Sequence, residues 1–385
     1  MTHRSEPSAL VRGCGPTGAL AALALADAGW RVQLQDPLNA QRLLARRRAY
    51  ALTHSSRSLL ERLGLWQQLS SQLIPFEQLQ LCDLGSGAPS TCFSATELGL
   101  PAVGWIANHG DLLQVLLEAL KRQSAVALAL GEAAQGAAAA SDGTPWELIV
   151  AADGPQSPSR DAAGIACWRW SYGQECLTAQ VDLRGASAHQ AWELFRPEGP
   201  LALLPLGGSR FQLVWSASPE RCRQLVQMGP DGLLDHMAAA LPDRFQGDHV
   251  VAPAQSFAVG LALAQRLHRG RTVLVGESGH CSHPVGGQGL NLCWRDVAVL
   301  HRLAQRVSQG RLSSAALPRH YAARRWPDLL LTLAATDLLV RLFSNRAPLL
   351  LPLRHLGLTL LSRSKLLRRL SLGVMTHGPC GPWWR

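Results

Sequence analysis

Three closely spaced glycines near the start of the chain could bind a phosphate group. The segment GCGPTG at 13–18 follows a short apolar run at 9–12 and precedes an alanine- and leucine-rich stretch. Glycines permit a tight turn and a close approach of the backbone to a pyrophosphate, and a helix N-terminus offers free N–H groups and a partial positive charge. The spacing predicts a phosphate-binding turn made of Gly13, Gly15, Pro16, Thr17 and Gly18.

A carboxylate follows at the position where it could bind a ribose. Residues 30–35 alternate between apolar and polar and predict a strand, and Asp36 ends it, 18 residues after Gly18. In a strand–helix–strand unit, such a carboxylate accepts hydrogen bonds from the hydroxyl groups of an adenosine ribose. The glycine fingerprint alone is a weak signal, but this context favours a dinucleotide site over a chance turn before a helix.

A second glycine-rich segment, VLVGESGHCSHPVGGQGLN at 273–291, suits a flavin ring. An apolar strand enters Gly276-Glu277, where a carboxylate could hold a ribityl hydroxyl, and a glycine-rich turn at 286–289 then opens a helix. Backbone N–H groups of this turn could reach the ring edge, and the helix N-terminus would stabilise negative charge that develops there on reduction. The residues assigned to this site are Gly276, Glu277, Gly286, Gly287, Gln288, Gly289, Leu290 and Asn291.

Two other polar segments carry weaker signals. AADG at 151–154 ends an apolar strand and, taken alone, predicts only a polar turn. His280 and His283 have a spacing that could suggest a metal site, but no third cluster of ligands accompanies them. A structural role is therefore favoured for both histidines, and no metal is expected.

The segments above need elements that bring them together, and the sequence pattern predicts such elements. Residues 9–36 have the pattern of a βαβ unit, residues 168–257 are rich in strand signals, and residues 317–372 are helical, leucine-rich and basic. Breaks in the last region are expected at Pro327, Pro348 and Pro352. Further helices are predicted at Ser55–Leu69, Asp111–Arg122 with Asp111 as N-cap, Arg221–Leu241 and Leu290–Gln309. Further strands are predicted at Trp146–Ala152, Leu201–Leu206, Arg210–Ser216 and Arg271–Val275.

Composition and charge narrow the class of protein. Of 385 residues, 47% are hydrophobic and 17% charged, which is typical of a packed globular chain. The net charge of +10 is carried almost entirely by arginine, but no nucleic-acid-binding motif accompanies it, so nucleic acid is not expected as a partner. Nine scattered cysteines fit free thiols in a reducing compartment. Residues 1–8 are too short for a signal peptide, and no apolar stretch predicts a transmembrane helix.

Taken in order, these segments resemble the flavoprotein aromatic-ring hydroxylases, and among them the ubiquinone-biosynthesis hydroxylases. The family patterns GxGPxG, a strand ending in Asp-Gly, and GDAAHxxxPxxGQGxN stand here as GCGPTG, AADG and GESGHCSHPVGGQGLN. RAYALTH at 48–54 is similar to the Arg-x-x-Ala-Leu-Ser segment of the family. LLPL at 203–206 with VWS at 214–216 resembles its sheet over the flavin, and the segments at 321–325 and 337–344 resemble its C-terminal helices.

The resemblance implies an α/β fold of the para-hydroxybenzoate-hydroxylase type. A Rossmann-like FAD-binding domain, with a parallel sheet and helices, is interleaved with a β-sheet substrate domain and followed by C-terminal helices. The FAD-binding domain is expected to be discontinuous, at residues 1–75, 100–166 and 258–310. The β-rich substrate domain is expected at 76–99 and 167–257, and the C-terminal helical region at 311–385.

The resemblance also implies the reaction. NAD(P)H reduces FAD and leaves, and a flavin hydroperoxide formed with O2 transfers one oxygen atom to an aromatic ring, here a prenylated phenol in ubiquinone-like quinone biosynthesis. Arg48 and Gln114 resemble flavin-contacting positions, and Asp153-Gly154 would lie near the pyrophosphate and the route of NAD(P)H. Pro284 and Gly287 are the candidates for the flavin face, and no single catalytic acid or base can be named.

Several positions depart from the family pattern. Glu277 stands in place of an aspartate, Arg12 in place of a small or apolar residue, and His109 lies in a segment that carries an arginine in the family. Two alternatives to the hydroxylase stay open, and these departures motivate the first of them. One is a non-enzymatic flavoprotein scaffold in a quinone-biosynthesis complex, and the other is a different flavoenzyme of the same fold.

The C-terminal region has a charge pattern of its own. No acidic residue follows Asp337, whereas arginines and one lysine are spaced among leucines. A basic amphipathic surface can lie on an anionic membrane, which would place a cytoplasmic protein at the inner face of a membrane. The other interpretation is that the leucines pack on the FAD-binding domain and the basic groups are simply solvated. The pattern does not indicate an oligomeric state.

Overall fold

The computed structural model describes residues 6–134 and 146–381, and the strands in this part of the chain form three sheets. The strands are β1 (Ser8–Arg12), β2 (Arg31–Asp36), β3 (Ala49–Leu52), β4 (Ile74–Phe76), β5 (Gln78–Asp83), β6 (Thr91–Ser94), β7 (Gly104–Asn108), β8 (Val126–Leu130), β9 (Leu148–Ala151), β10 (Cys167–Arg184), β11 (Gln190–Phe195), β12 (Leu201–Pro205), β13 (Arg210–Ala217), β14 (Gln246–Ala264), β15 (His268–Arg269), β16 (Thr272–Leu274) and β17 (His280–Cys281).

The helices in the same residues surround these sheets. They are α1 (Pro16–Asp27), α2 (Ala40–Leu44), α3 (His54–Arg62), α4 (Trp66–Ser70), α5 (His109–Arg122), α6 (Pro158–Ala162), α7 (Pro219–Gln227), α8 (Gly229–Ala238), α9 (Gln288–Ser308), α10 (Leu317–Phe343), α11 (Leu351–Arg363) and α12 (Lys365–His377). α1 is apolar on all sides because it is buried between the first sheet, α5 and α9.

The first sheet brings the three sequence motifs to one edge. Its six strands lie in the order β15-β16-β9-β1-β2-β8, and β1, β2, β8, β9 and β16 pair in parallel. Arg12 of β1 and Leu274 of β16 both lie opposite Ala151 of β9. Because the carboxyl ends of parallel strands meet at one edge, the turns after β1, β9 and β16 lie together. Those turns carry the first glycine segment, Asp153-Gly154 and Gly276-Glu277.

The second sheet is larger and mostly antiparallel. Its eight strands lie in the order β17-β14-β10-β13-β12-β11-β5-β6, and β5 pairs in parallel with β11. Side chains of its central strands pack with α7 and α8 around Phe211, Trp215 and Met237. The sheet also meets the C-terminal helices, where the rings of Phe195 and Phe343 stack with centroids 4.1 Å apart. The third sheet, β3-β7-β4, has three strands.

Three predicted helices differ from the observed ones for local reasons. The helix expected at Ser55–Leu69 is two helices, α3 and α4, because Gly64 adopts a positive φ of 68° after the last turn of α3. The helix expected at Arg221–Leu241 is likewise divided into α7 and α8 at Gly229, whose φ is 74°. α5 begins at His109 after Asn108, so Asp111 lies in its first turn and is not the N-cap.

The prolines of the C-terminal region act differently from one another. Pro327 lies inside α10, which continues to Phe343, so the expected break there is wrong. Buried ion pairs of Arg325 and Asp328 with groups on α9 hold both sides of this proline in place, and tertiary packing overrides the local cost. Pro348 lies between α10 and α11, and Pro352 occupies the first turn of α11, where its missing N–H costs nothing.

Candidate active site

In the turn formed by the first glycine segment, Gly13 and Gly18 have no room for a side chain, whereas Gly15 borders open space. A Cβ atom on Gly13, whose φ is 98°, would lie 2.3 Å from the carbonyl oxygen of Ala152, and one on Gly18 would lie 1.8 Å from that of Gly13. A Cβ on Gly15 would meet no atom within 4 Å. Pro16 begins α1, and no side chain caps that helix. The N-terminus of α1 is therefore free to bind an anion beside Gly15.

Asp36 supports this turn from the end of β2. Its Oδ2 accepts the N–H of Cys14 at 2.7 Å, and its Oδ1 accepts the N–H of Leu38 at 2.8 Å. The side chain is buried, but a carboxylate has about four acceptor positions. Asp36 can therefore hold the turn and still accept a ribose hydroxyl.

The second motif, at the end of β9, is joined to the third by an arginine that the sequence pattern did not single out. Asp153 accepts the hydroxyl of Ser157 and the N–H of Ser159, the latter at 2.9 Å, and Gly154 has a φ of 87°. The buried Arg160 on α6 donates to the carbonyl oxygens of Pro155 and Ser278, each at 3.1 Å. The loops after β9 and β16 are thus fixed to each other.

The third motif packs directly on the first. A Cβ on Gly276, whose φ is 72°, would lie 2.9 Å from the methyl carbon of Thr17, so the first and third motifs are in contact through a glycine and a small side chain. The N–H of Gly276 is donated to Oδ2 of Asp296 at 2.7 Å. Glu277 follows with an exposed side chain. Burial raises the pKa of the nearby Tyr50, Cys281 and Cys293, and the charge of Glu277 raises each of these pKa values further.

Buried ion pairs between α9 and α10 form an ion network that supports the third motif through Asp296. Arg325 donates to Oδ1 of Asp296 at 2.5 Å and to Oδ2 of Asp328 at 2.6 Å, and Arg295 donates to the same Asp328 oxygen at 2.8 Å. Burial by itself would raise the pKa of Asp296, but His280 and Arg325 beside it bring the value down to about 2. Asp296 is therefore a carboxylate that accepts from Gly276, His280 and Arg325.

The glycine-rich turn before α9 is open on one side. Gly286 and Gly287 have φ values of 69° and 62°, which side-chain-bearing residues rarely adopt. A Cβ on Gly286 or on Gly289 would meet no atom within 4 Å, and no side chain caps the N-terminus of α9. This turn follows Pro284 and leaves its backbone accessible to a planar ligand.

Asn291 fixes that turn to the segment after β3. Its Nδ2 donates to the carbonyl oxygens of Ala51 and Gly287 at 2.7 and 2.9 Å, and its Oδ1 accepts from Thr53 and Ser56. Both donors of the amide are thus used by the protein. Gln288 donates to the carbonyl oxygens of Gly286 and Met375, and Leu290 is half-buried.

The two histidines of the third motif have protein partners. Nε2 of His280 lies 2.7 Å from Asp296. His283 accepts the N–H of Val285 at its Nδ1, and its Nε2 lies 3.2 Å from Oε1 of Gln174, so this nitrogen carries the proton. Burial lowers the pKa of His283 to about 4. Both contacts agree with a structural role.

The other two predicted contact residues, Arg48 and Gln114, do not line the cavity and contact other protein groups. The Arg48 guanidinium lies over the ring of Phe257, 4.5 Å from its centroid, and Gln114 donates to Glu118 on the exposed side of α5. His109, in the segment where the family pattern has an arginine, is buried; its Nε2 lies 2.8 Å from the Leu43 carbonyl and its Nδ1 lies 2.9 Å from the Tyr50 hydroxyl. Burial lowers the pKa of His109, so a neutral ring links α5 to β3.

A cavity of about 590 Å³ adjoins the open turn. One wall is the segment from Pro284 to Gln288, another is formed by β5, β11, β12 and β13, and the third by α10, α11 and α12. Its lining is almost entirely aliphatic and aromatic. The polar exceptions include Glu193 of β11, which is buried and accepts the N–H of Gly286 at 3.3 Å.

These features fit FAD. Two helix N-termini without side-chain caps, the open Cα positions of Gly15, Gly286 and Gly289, and the Asp36 carboxylate provide the donors, the space and the acceptor that a flavin dinucleotide needs. Among residues 6–134 and 146–381 no cluster of metal-ligating side chains is found.

Comparison with known proteins gives concordant matches. A family model described as an FAD binding domain matches residues 145–327. The chain is 36% identical to ubiquinone hydroxylase UbiL of Rhodospirillum rubrum, over 97% of this chain and 91% of that protein. It is 31% identical to the 3-demethoxyubiquinol 3-hydroxylase of Escherichia coli, over 97% of this chain and 98% of that protein.

Solved structures with a similar fold are also found. The p-nitrophenol 4-monooxygenase PnpA of Pseudomonas putida superposes with a TM-score of 0.76 at 18% identity, over 95% of this chain and 96% of the other. HpxO of Klebsiella pneumoniae, complexed with FAD and uric acid, gives a TM-score of 0.74 at 18% identity, over 97% and 98% of the two chains.

Proposed function

This chain belongs to the family of FAD-dependent aromatic-ring hydroxylases that includes the ubiquinone-biosynthesis hydroxylases, and from that premise we propose that it hydroxylates the ring of a prenylated phenol in the synthesis of ubiquinone or a similar quinone. The family and the fold class expected from the sequence are confirmed. The enzyme is an FAD-dependent monooxygenase, and NAD(P)H is its transient electron donor.

One observation carries the choice of substrate class. The cavity of about 590 Å³ beside the glycine-rich turn is lined mainly by aliphatic side chains and runs between the second sheet and the C-terminal helices. A small polar phenol would leave most of that apolar surface without a partner, whereas an isoprenoid chain would bury it. An aromatic ring with an apolar tail therefore suits this cavity.

The residues proposed to hold FAD divide by the part of the cofactor that they meet. Gly13, Gly15, Pro16, Thr17 and Gly18 would bind the pyrophosphate, with Asp36 on the adenosine ribose and Asp153-Gly154 close by. Gly276 and Glu277 would lie along the ribityl chain. Gly286, Gly287, Gln288, Gly289, Leu290 and Asn291 would form or support the turn at the ring, with Pro284 at its face and Arg48 and Gln114 at the periphery. The domain boundaries given above remain part of this proposal.

Bound FAD would supply the redox chemistry: it would accept electrons from NAD(P)H and allow one oxygen atom of O2 to enter the ring while the other leaves as water. The protein contributes position and environment. The N-terminus of α9, which has no side-chain cap, would stabilise negative charge on a flavin ring bound beside it. The aliphatic walls exclude water from the place where oxygen is transferred, and the turn held by Asn291 orients the ring.

The C-terminal helices supply a route for an apolar substrate. Leu331, Leu353 and Val374 line the cavity and are each about half exposed, so the cavity reaches the surface among leucines. We define this surface as the leucine face; its other exposed members are Leu349, Leu356, Leu360, Leu366, Leu367 and Leu370. Arg346, Arg363, Lys365 and Arg369 are exposed on the same segments, where no acidic residue occurs after Asp337.

The partner proposed for the leucine face is an anionic membrane. Exposed leucines beside basic groups match the acyl boundary and the phosphate groups of a lipid surface, and a prenylated phenol resides in the membrane. Among residues 6–134 and 146–381, no helix is long and apolar enough to cross a membrane. The proposed contact is therefore peripheral, through α11 and α12.

The proposal is tested with the purified chain and NAD(P)H. We expect the two-banded absorption spectrum of a flavin, release of FAD at about one per chain on denaturation, and NAD(P)H oxidation that a prenylated phenol accelerates. A folded chain that fails to take up added FAD would exclude the enzyme and favour a scaffold. Bound FAD with NAD(P)H oxidation that no phenol accelerates would exclude the proposed substrate class.

A further inference from the structure

One buried carboxyl group, that of Glu193, lines the cavity. Glu193 on β11 is 7% exposed and lines the cavity together with Leu79, Leu81 and Ala202. In the sheet it lies opposite Leu81 of β5 and Ala202 of β12, neither of which offers a side-chain donor. A carboxyl group in apolar surroundings costs free energy unless it is paired, so its presence here suggests a ligand.

Glu193 lies at the end of the cavity next to the glycine-rich turn before α9. One carboxyl oxygen accepts the N–H of Gly286 at 3.3 Å, and Gly286 belongs to the open turn proposed to meet the flavin ring. The other charged residue of the lining, Arg354, donates instead to the carbonyl and side-chain oxygens of Asn345. Of the two charged groups in the lining, Glu193 is therefore the one next to the turn where an aromatic ring would meet the flavin.

We propose that Glu193 binds the hydroxyl group of the phenol substrate and accepts its proton while the ring is hydroxylated. The inference rests on the proposed function, which supplies a phenol. The O–H bond of the phenol breaks, and its proton binds a Glu193 oxygen, which leaves the electron pair on the ring oxygen and makes the ring more electron-rich. The attacked carbon gains one oxygen atom of O2 and loses its hydrogen as a proton, which leaves in the water formed from the other oxygen atom. The carboxyl group then returns its own proton to the ring oxygen. Glu193 is thus a catalytic residue.

The protonation state of the surroundings supports this role. Burial raises the pKa of Glu193 to about 7, although the N–H of Gly286 opposes that shift. The titratable neighbours stay neutral near that pH, because burial raises the pKa of Cys176 on β10 to about 12 and lowers that of His283 on the adjoining loop to about 4. Glu193 is the carboxylate above about pH 7 and the neutral acid below it, so it can both take and return a proton.

The test compares a phenol with its methyl ether on the FAD-loaded enzyme. Ortho-geranylphenol and ortho-geranylanisole are titrated against the flavin absorbance between about pH 5.5 and 8.5, a range that spans the pKa of a buried glutamate near neutrality. We expect wild type to prefer the phenol by about tenfold or more at the high end, since a hydrogen bond to a charged group is that strong. The preference falls as pH decreases through about 7, because the neutral acid accepts the O–H only as a weaker, uncharged acceptor and can donate its own O–H to the ether oxygen as well.

Substitutions then assign the effect to this residue. In Glu193→Gln and Glu193→Ala the preference falls to about threefold or less, the size of a weak neutral hydrogen bond, and its pH dependence disappears. Glu198→Gln is the matched control, because Glu198 pairs with Arg196 and Trp215 and does not line the cavity. We expect this variant to keep both the preference for the phenol and its pH dependence. FAD content measured in each variant separates a folding defect from a binding effect.

Two results overturn the inference. One is a wild-type preference that does not change with pH, and the other is a Glu193→Gln enzyme that keeps the pH-dependent preference. Failure of the proposed function has a different signature, because it appears as absence of hydroxylated product from wild type with ortho-geranylphenol. The titration measures the contact with Glu193 whether or not that product forms.

Discussion

Gly15 and Gly18, three residues apart in the first turn, have opposite surroundings. An added Cβ at Gly15 would enter open space, whereas one at Gly18 would lie 1.8 Å from a backbone oxygen. The difference separates a position that is proposed to meet the ligand from a position that the fold requires. Both appear in the sequence as members of one fingerprint, and the structure distinguishes them.

Gly15→Ala is therefore expected to weaken FAD binding without destabilising the chain. The φ and ψ of Gly15, −68° and 177°, are accessible to alanine, so the apoprotein keeps its structure. A methyl group beside the pyrophosphate would cost about 1–3 kcal/mol, or roughly ten- to a hundredfold in affinity. FAD titration monitored by flavin fluorescence measures the affinity, and thermal unfolding without FAD measures stability. Unchanged FAD affinity would contradict the assignment of this turn.

Gly18→Ala is expected to act on the fold instead. The turn must open to accommodate the methyl group, and the apoprotein should lose about 1–3 kcal/mol of unfolding free energy. Gly110→Ala is the control for both variants, since Gly110 lies in α5 where a Cβ meets its nearest atom at an ordinary 3.7 Å. A Gly18→Ala apoprotein as stable as wild type would show that the turn is not packed as described.

Residues whose role depends on local spacing were accessible from the sequence, and residues whose role depends on a distant partner were not. The glycines and Asp36 form a recognisable unit because their spacing is set by one turn and one helix. Arg160 was missed because its partner Ser278 is 118 residues away, and no local pattern marks it. Glu193 was missed for a similar reason, since a glutamate in a strand looks like a solvent-facing residue until the helices over it are known.

At the scale of elements, α9 and α10 are joined to the third motif by the buried ion network. Asp296 on α9 accepts from Gly276 at the start of the motif and from Arg325 on α10. The network explains how a helix with an internal proline stays continuous. It also means that the position of α10, which forms part of the cavity wall, is coupled to the loop proposed to hold the ribityl chain.

Asp296→Asn is expected to destabilise the chain strongly. It removes the negative charge that Arg325 and His280 face and leaves a buried guanidinium partly unpaired, which costs about 3–5 kcal/mol. Urea unfolding at neutral pH measures the loss. Glu61→Gln, which breaks an exposed pair with Arg57, should cost less than about 1 kcal/mol in the same assay. Equal effects of the two substitutions would contradict the structural importance of the network.

Element types were predicted more successfully than their ends. The parallel strands, α1 and α9 follow from apolar runs bounded by glycine or charged residues. The break between α3 and α4 depends on whether Gly64 takes a positive φ. The continuity of α10 depends on ion pairs made by Arg325 and Asp328. Such long-range contacts are absent from a pattern that spans a few residues.

In the molecule as a whole, the cavity and the leucine face form one apolar path from the glycine-rich turn before α9 to the surface. The second sheet and the C-terminal helices enclose the path, and exposed basic groups occur on the same C-terminal segments. The arrangement suits an enzyme that takes its substrate from a lipid surface without leaving water in the cavity.

We expect the full chain to bind vesicles that contain anionic lipid. Arg363→Gln combined with Lys365→Gln should weaken binding roughly 30-fold, since each basic group near an anionic surface contributes about 1 kcal/mol. A matched variant, Arg184→Gln with Arg223→Gln, removes the same charge from exposed sites of the second sheet and α7. Vesicle sedimentation measures both. Equal weakening by the two variants would show a general charge effect and contradict docking through the leucine face.

Isotope incorporation tests directly whether the enzyme transfers oxygen to the ring of a prenylated phenol. The FAD-loaded enzyme is supplied with NAD(P)H, ortho-geranylphenol and isotopically heavy O2, and the product is analysed by mass spectrometry. We expect a product that carries one additional oxygen atom, derived from O2, on the aromatic ring. NAD(P)H oxidation that yields only hydrogen peroxide, or a product whose added oxygen comes from water, would contradict it.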